Sequence, residues 1–252
     1  MSFLASPQSS SDLNPPARKS RQTVRHMFDP IKRIVKRVPI LESSLAKLRS
    51  RLSKVKSSSA YWEKRYRMGG NSGAGSYNRL AEFKANFLNR FVEEHKIASV
   101  IEYGCGDGAQ LKLAKFPLYT GVDVSVTAVE RCQVLFDSDP SKKFLHLDAQ
   151  TSKITADLAL SLDVVYHLVE DSVFDAYMRR LFDSAARFVI IYSSNMDQVW
   201  SGSHVRHRQF TRWIDQNEPD WRLVSFLKNA YPYDETNQAV SSFADFYVFE
   251  LV

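Results

Sequence analysis

The 252-residue sequence predicts an α/β fold built on a mostly parallel sheet with helices on both faces. Three observations carry that expectation. From Ser99 onward, short apolar runs alternate with amphipathic stretches, the pattern of strands joined by covering helices. The run "RFVIIYSS" is apolar throughout, as a strand buried on both sides should be. Two strand-like runs, "WRLVSFL" and "FADFYVFEL", lie close together near the C-terminus, which suggests an antiparallel addition at one edge.

The elements follow in order. "LAEFKANFLNRFVEEH" reads as an amphipathic helix leading into the first strand, "SVIEY". "GAQLKLAKF" reads as the start of a helix, "LYTGVDVS" as the second strand and "VTAVERCQVLF" as the next helix. "KFLHLDA" and "ADLALSLDVV" supply the third and fourth strands. Val173, Phe174, Tyr177, Met178, Leu181 and Phe182 then share one helical face, with Asp171 as the expected cap. One domain is expected over residues 61–252.

The N-terminal quarter differs in kind. Residues 1–28 are rich in Ser and Pro and are expected to be a disordered basic tail. Residues 29–60 read as a basic amphipathic helical extension, with Ile34, Val38, Leu41, Leu45, Leu48, Leu52 and Val55 spaced as a heptad seam that Pro39 interrupts. Its Lys/Arg-rich flanks disfavour pairing with an identical helix. They suit a membrane surface or an acidic protein, with a solvated spacer as the plain alternative. The net charge of +6 has its origin here: residues 1–60 carry 13 Lys/Arg against 3 Asp/Glu, and the remainder is mildly acidic. An extended nucleic-acid surface is therefore not expected on the body.

Composition is that of an ordinary soluble domain, at 44% hydrophobic and 25% charged residues. No apolar run suggests a membrane span and no signal peptide is evident. Two cysteines, Cys105 and Cys132, make no disulfide framework or metal spacing. The expected location is the cytoplasm, with peripheral contact at the inner membrane surface through the basic extension.

Of nine glycines, three fall within "GCGDG": Gly104, Gly106 and Gly108. In a doubly wound sheet this turn follows the first strand, at the edge where ligands bind, and bare backbone permits close approach. The pattern is G-x-G-x-G preceded by Glu102, unlike the dinucleotide fingerprint G-x-G-x-x-G. Asp123 ends the second strand, placed to hold both hydroxyls of a ribose. Asp148 ends the third, placed to meet an adenine amino group.

Together these segments resemble the class I S-adenosylmethionine-dependent methyltransferase family. "VIEYGCGDG" is similar to its first motif, "GVDVS" to its ribose motif, "LDA" to its adenine-side motif and "ADLALSLDVVYHLVED" to its fourth-strand motif. A nucleotide-free or NAD-binding Rossmann-like domain is the alternative. The resemblance implies a Rossmann-like, seven-stranded sheet with an antiparallel last strand, and S-adenosyl-L-methionine as cofactor. It implies that Glu102, Gly104, Cys105, Gly106 and Gly108 cradle the methionine part and that Asp123 and Val124 meet the ribose. Asp148 and Ala149 would frame the adenine, with Leu162 near the sulfonium. "YWEKRYRMGGNSGAGSYNRLAEFK" resembles the N-terminal lid of small bacterial methyltransferases from surface-polysaccharide gene clusters. Trp62 would then cover the ligand and Arg65 would pair with its carboxylate, or Arg65 is simply a surface residue of a helix. The glycines at 69, 70, 73 and 75 suit a mobile closing loop.

Methyl transfer to a hydroxyl needs an aligned acceptor and a base. After the fourth strand, Asp163 and His167 stand i, i+4 and would share a helical face, Asp163 orienting His167 as base or raising its pKa. A packing histidine and a turn-capping aspartate are the plain alternatives. No Asn/Asp-Pro-Pro-aromatic sequence follows this strand, which disfavours methylation of base or glutamine amines, and no metal is expected. The insert "SSNMDQVWSGSHVRHRQFTRW" gathers His204, Arg206, His207, Arg208 and Arg212 around Phe210 and Trp213. It is read as recognition of an anionic small-molecule acceptor through His204, Arg206, His207 and Arg208, or as a solvated loop. The expected activity is methylation of a hydroxyl on a carbohydrate or phosphate-bearing precursor of surface polysaccharide. The alternatives are an RNA methyltransferase and a non-catalytic cofactor-binding scaffold tethered by the basic tail.

Overall fold

The computed structural model describes residues 57–148, 154–199 and 204–252. The expected tail, the basic extension up to residue 56 and Ala149 lie outside the described residues. Helix α1 (Ser58–Arg67) begins where Ser57 accepts the Ala60 N–H at 3.2 Å, an N-cap that satisfies one orphan donor. It crosses the domain boundary expected at residue 60. Helix α2 (Asn78–Glu94) buries Leu80, Ala81, Ala85, Leu88, Phe91 and Val92, the spacing of a single apolar stripe.

The strands are β1 (Ser99–Tyr103), β2 (Leu118–Asp123), β3 (Lys142–His146), β4 (Ala156–Leu162) and β5 (Ala185–Ser193), followed by β8 (Trp221–Leu227) and β9 (Asp245–Leu251). They form one seven-stranded sheet in the order β3-β2-β1-β4-β5-β9-β8. All pairings from β3 to β5 are parallel, whereas β9 runs antiparallel to both β5 and β8. Strand order therefore reverses between β1 and β4, and the crevice at their carboxyl ends is where such sheets take ligands.

Alternation along the strands sorts the core into two layers. Val100, Leu158, Leu160, Phe188, Ile190 and Tyr192 pack with α2 and with α3 (Val126–Leu135). Ile101, Ala159, Val189 and Ile191 pack with Phe174, Met178, Leu181 and Phe182 of α4 (Asp171–Asp183) and with Phe210 and Ile214 of α5 (Phe210–Asn217).

Three local expectations change. No α-helix joins β1 to β2; a single 3₁₀ turn, Leu111–Leu113, stands there. Three glycines at positive φ occupy the start of the connection, and Pro117 holds Phe116 out of the helical region at its end, leaving too little chain for stable helical turns. The cap of α4 is Glu170, and Asp171 is the first helical residue. The insert after β5 is not a plain loop: it forms the short ribbon β6 (Gln198–Val199) with β7 (Arg206–His207), then α5.

Candidate active site

The turn after β1 folds back on the neighbouring strand, Gly104 and Cys105 both donating their N–H to the Val122 carbonyl, at 2.7 and 3.3 Å. Gly104, Gly106 and Gly108 have φ of +88°, +59° and +76°, where a side chain would be strained. Crowding explains the bareness further. A Cβ on Gly104 would strike the Val164 side chain, and one on Gly106 the Ser72 hydroxyl. A Cβ on Gly108 would meet Phe136 at 2.9 Å and the Cys132 sulfur at 3.1 Å. Gly108 therefore serves packing against α3 and its C-cap, and it is absent from the cavity wall, unlike Gly104, Cys105 and Gly106. This corrects its expected place in the cradle.

Asp123 closes β2 on that cavity, whose volume is about 340 Å³. One of its oxygens accepts the Gly106 N–H and the other the Ser125 N–H, both at 2.9 Å. The carboxylate is thus aimed by the turn it faces, while burial raises its pKa. Glu102 is fully buried and accepts from the Tyr119 hydroxyl at 2.6 Å; burial pushes its pKa to about 7. Val124, Leu162, Tyr66 and Trp62 complete this part of the wall. Leu147 lines the cavity where Asp148 was expected, and Asp148 is exposed outside it, because the strand alternation turns Leu147 inward.

α1 forms one side of the cavity and is fastened at several points. Ser58 donates its N–H and hydroxyl to Glu170 at 3.0 and 2.9 Å. Glu63 accepts from the Ser125 and Thr127 hydroxyls at 2.7 and 2.8 Å. Arg131 donates to the carbonyls of Gly70 and Tyr66. Asp107, the acid inside the glycine turn, accepts from the Ser72 N–H and hydroxyl at 3.0 and 2.8 Å and from Tyr77 at 2.8 Å. The glycine-bearing segment after α1 is therefore pinned to the turn after β1. Arg65 is not on the cavity wall. It donates to the Asn71 carbonyl at 2.6 Å and lies over the Trp62 ring, which corrects its expected pairing with the ligand.

The fourth-strand acids and bases also part company with the expected dyad. Asp163 adopts φ +60° directly after β4. Its oxygens accept from the Lys84 ammonium at 2.6 Å and the Tyr166 hydroxyl at 2.8 Å. His167 ends a 3₁₀ turn, Val165–His167, and its Nδ1 lies 3.2 Å from the His204 carbonyl. So Asp163 and His167 share the cavity wall but not a hydrogen bond, and burial lowers the His167 pKa to about 4, opposite to the expected rise. The left-handed residue breaks the helical geometry that i, i+4 spacing assumes.

The basic insert is mostly consumed internally. Arg206 and Arg208 both pair with Asp171, at 3.0 and 2.6 Å. Their remaining bonds go to the carbonyls of Val169 and Leu168. His207 is buried, its Nδ1 2.6 Å from the Ser194 hydroxyl. Arg206 and Arg208 hold the segment after β4 and His207 the end of β5, and none of the three is on the cavity wall, a correction to their expected role. His204 is not on the wall either, but it stacks behind it, against Tyr61 at 4.4 Å and the wall residue His167 at 5.0 Å.

Lys84, Asp107 and Leu147 escaped the sequence reading. Lys84 had a visible signal, since it interrupts the apolar stripe between Leu80 and Leu88 in α2.

Residues 101–190 match the family model described as a methyltransferase domain. The N-methyltransferase NodS from Bradyrhizobium japonicum WM9, in complex with S-adenosyl-l-homocysteine, superposes with a TM-score of 0.57 at 14% identity, covering 78% of this chain and 99% of that one. Magnesium protoporphyrin IX methyltransferase from Synechocystis PCC 6803, with bound SAH, gives 0.53 at 15%, covering 69% and 85%. The methyltransferase domain of bacterial CtHen1 gives 0.53 at 19%, covering 69% and 100%. No curated protein matches the sequence. The fold is that of the class I S-adenosylmethionine-dependent methyltransferases. Residues 101–190 carry the methyltransferase-domain match, and the Synechocystis enzyme of this fold also binds S-adenosylmethionine, the cofactor of that class. The residues present fit that cofactor: a glycine turn that no Cβ could occupy, a buried carboxylate oriented beside it, and a cavity running past both.

Proposed function

We propose that the protein methylates a hydroxyl of a small carbohydrate acceptor, with His167 as the base. The observation that carries this reading is the contact between His167 Nδ1 and the His204 carbonyl. A carbonyl only accepts, so Nδ1 holds the proton and Nε2 is left with a lone pair. The low pKa keeps the imidazole neutral through the physiological range. A hydroxyl becomes strongly acidic as it is alkylated, so even a weak base suffices.

When bound, the cofactor supplies an electrophilic methyl group. Asp123 and the backbone of Gly104 and Gly106 would hold its nucleoside side, and α1 excludes water by covering the cavity with Trp62 and Tyr66. Tyr61, Trp62 and His204 present aromatic faces near His167, which suit the apolar face of a sugar. With Arg206 and Arg208 engaged by Asp171, a phosphate on the acceptor lacks the partners first assigned to it. A role in surface-polysaccharide synthesis and a cytoplasmic location, peripheral to the membrane through residues 29–60, belong to the same proposal. Calorimetry with S-adenosylmethionine, followed by turnover assays on a panel of sugars and nucleotide-linked sugars, tests it; amine methylation with no sugar turnover would overturn the acceptor assignment.

A further inference from the structure

Lys84 is the least expected residue in the cavity. It comes from the core-facing stripe of α2, is 1% exposed, and lines the same cavity as the turn after β1. An ammonium has three donors. One is spent on Asp163 at 2.6 Å, and the Tyr192 ring lies 5.2 Å from the nitrogen. No other hydrogen bond to Lys84 is made among the described residues. A buried lysine is costly unless a partner compensates it, and one carboxylate leaves donor capacity directed at the cavity.

Position narrows what that capacity serves. Asp123, the turn after β1 and Asp163 sit at the carboxyl ends of β2, β1 and β4, consecutive in the sheet. Adjacent strands lie roughly 4.8 Å apart. The Gly106 N–H binds Asp123, and Val164, next to Asp163, packs on Gly104. A ligand with its sugar at Asp123 therefore crosses the glycine turn and ends at Asp163 and Lys84. The other cations nearby are placed differently. Arg65 is bonded to Asn71, and Arg180 reaches the wall from α4 on the side of the Tyr103 hydroxyl, which bonds to Ser184 at the base of β5.

We propose that Lys84 and Asp163 together read the α-amino carboxylate end of the cofactor, exchanging their mutual ion pair for a matched set of four charges. Lys84 donates to the ligand carboxylate and Asp163 accepts from its ammonium, while Tyr166 keeps its bond to the second Asp163 oxygen. This rests on the cofactor reading above. Lys84 thus takes the place that the family resemblance offered for Arg65.

The test is calorimetry on the full chain with two probes, S-adenosylhomocysteine and 5′-methylthioadenosine, which lacks the amino acid end. The variants are Lys84→Met and the double variant Lys84→Met with Asp163→Asn. The double variant removes both members of the ion pair together and so guards against loss of folding. In both, affinity for S-adenosylhomocysteine should fall by about tenfold or more, the scale of one charged hydrogen bond, with 5′-methylthioadenosine unmoved. An unchanged ratio of the two affinities in the folded double variant overturns the inference and leaves the cofactor reading intact. Failure of the unmodified chain to bind either compound overturns both.

Discussion

His167 illustrates how a side chain's role follows from what surrounds it. Trp62 lies edge-on at 4.9 Å and His204 stacks at 5.0 Å, so water is largely displaced and the charged form is disfavoured. His167→Ala should lower kcat roughly 10²–10⁴-fold while leaving S-adenosylhomocysteine affinity unchanged by calorimetry. Because the pKa is depressed to about 4, turnover attributable to this group should be flat from pH 6 to 8. Its contribution to stability is full above the ordinary histidine value and is lost as pH falls toward 4. A kcat limb centred near 7 would assign the base elsewhere, with Glu102, at about 7, the first group to examine. At the same scale, Asp171 shows why a charge count misleads: the cations that look free in sequence are partners of an acid over thirty positions earlier.

Among elements, α1 and the glycine segment behind it matter most, because they wall the cavity yet bury little apolar surface of their own. Polar fastenings therefore hold them. Burial works to raise the Asp107 pKa, but the bonds from Ser72, Tyr77 and Ala109 outweigh it and hold the carboxyl below its ordinary value. The Ser125 and Thr127 hydroxyls do the same for Glu63. For both acids the stabilisation is present above the ordinary carboxylate pKa and drains away as pH falls through the lowered folded-state value. Acid should release this lid before it unfolds the sheet, visible as protease cleavage within residues 68–77 while the far-UV signal persists. Asp107→Ala should produce the same cleavage at neutral pH and weaken S-adenosylhomocysteine binding several-fold, each lost hydrogen bond being worth about 1 kcal/mol.

For the whole molecule, the sheet and its two covering layers set stability. Met178 is fully buried between α4 and the sheet, so Met178→Ala should cost about 2–5 kcal/mol in denaturant unfolding. The basic extension belongs to this scale too. Full-length protein should sediment with anionic vesicles and release in high salt, and equal binding by protein lacking residues 1–56 would remove the membrane assignment.

Strand identity and order of motifs were legible because apolar runs of one length, bounded by glycines and acids, carry their period with them. "SVIEY", "WRLVSFL" and the α2 stripe could be read almost to the residue. The glycine turn and Asp123 could be placed together because both lie at strand ends, where sequence position maps directly onto a sheet edge. Partner choice could not be read in this way. Whether Asp163 meets His167 or Lys84 depends on one left-handed residue and on a helix seventy-nine positions away, and whether Arg206 faces a substrate or Asp171 depends on how an insert folds over α4. Local pattern fixes the periodic backbone because those forces act between near neighbours. Which charge neutralises which is decided only when burial removes water and the nearest available counter-charge, from any part of the chain, must take its place.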